Sequence, residues 1–266
     1  MPRAGVLGFP EPYRIFGTFA GLSFWGGGLT LLAAAPGAGK TSWAGRMVLE
    51  AAVAGFPAAL ACYEHTDEEL KFRLYKQAMA RIGGAHGIVG EEKVQAVLAR
   101  AANAVLLSVD SREDTARSIE ETLLNVYGFP RRGNALVVVD YLQRVPVVGL
   151  SGLIDPDRQG GEAAAELRAM SRRHDWAILC PAALEKDSFT LGDELSALMG
   201  DERVPYEADR VLLVRQQGAK RSCGCGELVV HTLKDRTGPT RTWHLGFFGE
   251  RFFIATDDEA YLHETG

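Results

Sequence analysis

Pro36-Gly37-Ala38-Gly39-Lys40-Thr41-Ser42 sets a small-residue loop, a lysine and two hydroxyls directly behind an apolar run. Glycines let successive backbone N–H groups turn toward one point and converge on phosphate oxygens; a helix starting there adds the positive end of its dipole. In such a P-loop Lys40 reaches the β/γ-phosphates and the Thr41 hydroxyl ligates Mg²⁺, so the ligand implied is a nucleoside triphosphate. The glycine that usually opens the loop is replaced by Ala34. Asp140 closes Leu136-Val137-Val138-Val139; beside a phosphate loop its carboxylate supports Mg²⁺, directly or through water. Glu64 follows the apolar run Ala58–Tyr63, where a carboxylate can orient or deprotonate a water facing the γ-phosphate. A solvated acid ahead of a helix cap is its simpler reading, and neighbouring His65 reads as a polar strand-end residue. Lys234 and Arg236 precede the rigid turn Gly238-Pro239-Thr240. They are either edge-strand charges or cations that reach a neighbouring subunit's γ-phosphate, where an arginine stabilises transition-state charge.

The elements that must carry these residues follow from periodicity. Leu29–Ala34, Ala58–Tyr63, Val105–Val109, Ala135–Val139, Trp176–Cys180 and Arg210–Val214 are unbroken apolar runs, the pattern of parallel strands buried on both faces. Helices are expected between them: Ser42 to Ala54, Leu70 to Ile82 behind a Thr66/Glu69 capping box, Thr115 to Tyr127 opened by Ser111 and Asp114, and Glu162 to His174. After Val214 the pattern alternates, with Glu227–Lys234 and Thr240–Phe247 as an antiparallel pair and Phe252–Ile254 as a further strand. The fold class is therefore α/β, a mainly parallel central sheet flanked by helices with antiparallel C-terminal strands. Residues 1–21, with Pro2, Pro10 and Pro12, read as an irregular arm, and 22–266 as one domain.

Composition excludes several classes. The chain has 266 residues, 47% of them apolar, with 29 basic against 34 acidic side chains and a net charge of −5, which argues against a wholesale nucleic-acid coat. Four cysteines at irregular spacing make no disulfide framework. Cys62 and Cys180 sit in apolar runs as buried thiols. Cys223 and Cys225 offer half a zinc site, with only His231 and His244 nearby, and read as a hairpin tip. No apolar run is long enough to span a membrane and no signal segment opens the chain, so a soluble, cytoplasmic protein is expected.

Ala33 through Thr41, Asp140-Tyr141-Leu142-Gln143, Lys234 through Thr240 and Glu64 occur in one order along the chain. Together they resemble the C-terminal ATPase domain of DnaB-like replicative helicases, which has a RecA-like P-loop NTPase core. The resemblance runs from about residue 14 to 254. It accounts for Ala34 through that family's alanine-led loop and assigns Pro36 to Ser42, Asp140 and Gln143 to the nucleotide. It gives Thr41 and Asp140 to Mg²⁺, Glu64 to catalysis, and Lys234 and Arg236 to action in trans within a homo-oligomeric ring, commonly a hexamer. The cofactors it implies are ATP and Mg²⁺. The family's N-terminal helical domain has no counterpart here, so a protein partner is expected in its place.

Two departures concern DNA. The segment expected to carry a γ-phosphate-sensing glutamine reads Ala182-Ala183-Leu184, and the arginine position of the second central loop holds Met199. Asp193, Glu194, Asp201 and Glu202 make that loop acidic, a poor match to a phosphate backbone. Arg144 and Arg158 in the first central loop, with Lys186 and Arg203 near the second, are the remaining candidates for contact with single-stranded DNA. Three functions follow: a ring motor that hydrolyses ATP to translocate on or unwind DNA in replication; an ATP-gated regulatory or assembly protein without helicase activity; and a RecA-type recombinase, against which the Lys234-to-Thr240 signature argues.

Overall fold

The computed structural model describes residues 24–83, 90–147, 156–185, 195–220 and 226–255. The arm at 1–21, Lys186, Asp193, Glu194, Cys223 and Cys225 lie outside the described residues.

Strand β1 (Leu29–Ala34) is buried on both faces, as an unbroken apolar run requires, and lies near the middle of a nine-stranded sheet. The other strands are β2 (Ala58–Cys62), β3 (Ala104–Ser108), β4 (Leu136–Asp140), β5 (Ala177–Ala183), β6 (Arg210–Lys220), β7 (Gly226–Asp235), β8 (Thr242–Phe248) and β9 (Phe253–Ala255). Their order across the sheet is β3-β2-β4-β5-β1-β6-β7-β8-β9. The first six strands are parallel and the last three join antiparallel, as expected from the change of pattern after Val214.

Helices α1 (Lys40–Val53), α2 (Asp67–Gly83), α3 (Glu91–Arg100), α4 (Ala116–Asn125), α5 (Pro156–His174) and α6 (Arg203–Glu207) complete the described fold. Alternate residues of β1 face two separate cores. Leu32 and Ala34 pack with α1, α2 and α3, whereas Leu29, Leu31 and Ala33 pack with α4 and α5. The sheet is thus the middle of three layers, and its parallel strands all end on the side where the phosphate loop lies.

Several expected boundaries move. The capping box forms: the Glu69 N–H donates to Thr66 Oγ1 at 3.3 Å and the Thr66 N–H to Glu69 Oε2 at 3.0 Å. At α4 the cap is Thr115, whose hydroxyl accepts from the Ser118 N–H at 3.1 Å, while Asp110 and Asp114 close the turn before it. Strand β5 continues past Cys180 through Pro181 to Ala183. Beyond Leu179 it pairs with β1 alone, so a residue lacking an N–H is accommodated there. Helices α3 and α6 were not expected; α3 buries only Val94 and Val97, and α6 spans five residues.

Candidate active site

The turn after β1 is built for close approach. Gly37 (φ 79°) and Gly39 (φ 84°) adopt left-handed backbone, which side-chain-bearing residues rarely reach. A Cβ at Gly39 would also stand 3.2 Å from the Phe247 ring. Gly39 is the N-cap of α1 and provides no side-chain cap, which leaves the first N–H groups of the helix to a ligand. Lys40 Nζ donates to the carbonyls of Ala34 and Ala35 at 3.0 and 3.1 Å, folding back over the loop. Burial lowers the Lys40 ammonium pKa, with Asp140 and Glu64 opposing that shift. Ala34 is the last, fully buried residue of β1, in register with Ala183 and Val214. It belongs to the strand, so a glycine is not needed there.

Register delivers the two carboxylates. Cys62 of β2 pairs with Asp140 of β4, and the Tyr63 N–H donates to the Asp140 carbonyl at 2.9 Å, so both strands end together beside the loop. Asp140 is 1% exposed; burial raises its pKa, and a hydrogen bond from the Thr41 hydroxyl opposes the rise. The peptide that follows, Asp140–Tyr141, is cis. The Cys62 thiol lies 3.8 Å from Asp140 Oδ2 and is pushed up to about 12 by burial and then by that carboxylate. A buried anionic oxygen with a hydroxyl against it fits a hard divalent cation, which would offset the cost of burying the charge. Glu64 is exposed and lines the same cleft as Gly37, Gly39, Lys40 and Thr41, a space of about 490 Å³. His65 lines it too and faces Glu69, with Nδ1 at 3.4 Å from Oε2.

Sequence reasoning missed the far wall of this cleft. Arg73, Phe247 and Phe252 line it, and the Arg73 guanidinium lies 4.2 Å from the centre of the Phe252 ring. Phe247 and Phe252 read in the sequence as core or interface residues. Only the return of β8 and β9 over α1 and α2 brings them to the phosphate loop, and no local spacing signals that.

Gln143 is placed between segments. Its Nε2 donates to the Met199 carbonyl at 2.9 Å, and its Oε1 accepts from the Ala183 N–H at 2.9 Å. The amide thus ties the end of β5, which lines the cleft, to the segment before α6. Arg144 is exposed, 3.2 Å from the Tyr141 hydroxyl, and Arg158 is exposed on α5. Arg203 is engaged within its own chain: it pairs with Glu162 at 2.5 Å and Asp201 at 2.8 Å, and donates to the Arg158 carbonyl at 3.2 Å.

Lys234 and Arg236 stand at the opposite end of the sheet from the phosphate loop. Ala34 aligns with Val214 and Val230, whereas Thr30 aligns with Arg210 and Asp235. Four residues of strand, about 13 Å at the usual rise, separate the two levels. Lys234 Nζ donates to the carbonyls of Pro205 (2.7 Å) and Tyr206 (3.1 Å), and Arg236 donates to Tyr206 at 2.9 Å. Neither cation lines the cleft of its own chain.

The comparisons agree with this architecture. No curated protein matches the chain. Among solved structures, an isolated ATPase domain superposes with a TM-score of 0.74 at 17% identity, covering 96% of this chain and 93% of that one. A DnaB-like replicative helicase, described with its interactions with primase, gives 0.73 at 18% identity over 93% of this chain; the match spans 63% of that helicase. The RadB recombinase gives 0.59 at 18%, covering 91% and 96%. At such identities these likenesses establish the RecA-like fold. No helix among the described residues is long and apolar enough to cross a membrane. The profile of the DnaB-like helicase C terminal domain matches residues 18–254, and the chain belongs to that family.

Proposed function

We propose that residues 22–266 form one ATPase domain that works as a ring of identical copies, hydrolysing ATP to move along single-stranded DNA. The observation that carries this reading is the arrangement of cations and cleft. The phosphate loop, Thr41, Asp140 and Glu64 meet at one end of the sheet, while Lys234 and Arg236 face outward from the other. A cleft and a pair of cations that cannot meet within one chain complete each other between copies, and a head-to-tail contact of that kind closes into a ring.

Pro36 to Ser42 would hold the phosphates through backbone N–H groups, and Lys40 would bridge the β- and γ-phosphates. Thr41 and Asp140 would hold Mg²⁺, which supplies charge neutralisation across the β/γ oxygens. Glu64 would orient a water in line with the γ-phosphorus and accept its proton as the new O–P bond forms and the bridging O–P bond breaks. Lys234 and Arg236 of the adjacent copy would stabilise the charge gathering on the transferred group. Gln143 would act beside the nucleotide by holding the Ala183 segment against the cleft. Arg144, Arg158 and Lys186 remain the candidate DNA contacts, and a protein partner would stand in for the family's N-terminal domain.

A second reading, an ATP-gated assembly module, is favoured by one observation: Arg203 is occupied by Glu162 and Asp201. Steady-state ATP hydrolysis with and without single-stranded DNA, with Glu64→Gln as the blank, separates the two. The motor reading expects strong stimulation. Hydrolysis indifferent to DNA, with ATP-dependent oligomerisation, would transfer the function to the assembly reading.

A further inference from the structure

Arg203 opens α6 and joins it to α5 from one side. Its guanidinium holds Asp201 and Glu162 and donates to the Arg158 carbonyl, so one side chain spans the turn before α6 and the first half of α5. The packing beneath is close. A Cβ at Gly160 would stand 3.3 Å from the Val204 side chain, and one at Gly161 would collide with the Asp201 carboxylate. The glycine pair therefore lets α6 sit directly on α5. At the other end of α6, the carbonyls of Pro205 and Tyr206 accept every hydrogen bond just described for Lys234 and the one from Arg236. The Arg236 backbone N–H is held besides by the Asp209 carbonyl at 3.0 Å, immediately after the helix.

We propose that Arg203 is a positioning residue for Lys234 and Arg236, acting through α6, which seats both cations on its final carbonyls. It touches no nucleotide and takes no part in the reaction itself. The inference rests on the trans reading above. A short helix pinned at one end and carrying two cations at the other transmits a shift of its anchor to both charges, and a displacement of about 1 Å at a transition-state contact costs up to ~10²-fold in rate.

The test uses the whole chain. Arg203→Ala is expected to lower kcat for ATP roughly tenfold while leaving KM within about twofold, because the cleft of the same copy is untouched. Arg203→Lys, which keeps one ionic contact, restores part of the rate. Gly161→Ala displaces Asp201 while improving helix propensity, so the same fall in kcat from this variant is not a folding defect. Mixing Arg203→Ala with Lys40→Ala, whose cations are intact, should give turnover above the sum of the two alone. A mixture of Arg236→Ala with Lys40→Ala runs beside it. Unchanged kcat in both Arg203→Ala and Gly161→Ala overturns the inference. So does relief by mixing for Arg236→Ala and none for Arg203→Ala. If neither mixture gains activity, the trans reading itself falls and this inference with it.

Discussion

At the carboxyl ends of the parallel strands the polar groups face open space; at the amino ends they face one another. Glu64 and Thr41 line a cleft there, and Lys40 reaches only main-chain carbonyls of its own loop. At the other end Asp209 accepts from the Leu29 N–H at 2.9 Å and pairs with Arg168, and Arg210 pairs with Asp235 at 2.9 Å. All four of these charged side chains are nearly buried. One end keeps its donors for a ligand, which costs stability; the other satisfies its charges internally and presents two cations on the resulting frame. A ring active site needs both, one adaptable surface and one stiff one.

The largest effects should separate the ends by kind. Lys40→Ala and Arg236→Ala are each expected to lower ATP turnover by about 10³-fold, the scale of a lost contact to developing phosphoryl charge. Steady-state phosphate release measures this; loss of less than tenfold in Arg236→Ala would dissolve the distinction between the ends. Asp209→Ala should act on stability instead. It strands the Arg168 guanidinium, 9% exposed, without its carboxylate, and the usual cost of such a break is about 3–5 kcal/mol, read as a shift in denaturant midpoint. A midpoint like that of the parent chain would show that the frame is not braced by this pair.

A pH effect sharpens the comparison. Burial, then the nearby Arg236 and Arg168 charges, lower the Lys234 pKa from its ordinary 10.5 to about 8, against a weaker opposing pull from Glu207. The folded chain releases this proton near pH 8 and the unfolded chain only near 10.5. Between those values the unfolded state binds more protons, so stability rises with pH across the window and the contribution is absent below pH 8. Turnover moves the other way, falling above pH 8 as the cation is lost. Lys234→Met should flatten the stability rise, and Lys234→Arg should extend activity to higher pH. The smallest effect belongs to the Thr66 cap, where Thr66→Ala should cost about 1 kcal/mol in unfolding free energy with little change in turnover.

Legibility in the sequence follows the same division. The phosphate loop, Asp140 and Glu64 were readable because each lies at a strand end and its chemistry is set by neighbours in the chain. The parallel strands were readable as apolar runs. Arg203 was not: its spacing marks a loop cation near a central channel, and only the packing of α6 on α5 reveals Glu162 as its partner. Gln143 bridges to Ala183 and Met199, forty and fifty-six positions away, and no local pattern encodes such a pairing. Phe247 and Phe252 reach the cleft through the last antiparallel strands, whose register is set by pairing across the sheet. Helix α6 is too short to show a period at all.

The central claim is that one copy's cleft and the next copy's cations form a single catalytic site. Mixing Lys40→Ala chains with Arg236→Ala chains and measuring ATP turnover tests it directly. Each preparation alone lacks one half of every site, while mixed assemblies place an intact cleft against intact cations. The account predicts turnover well above the sum of the separate preparations. A mixture no more active than that sum, with both variants folded and assembling as the parent does, would contradict it.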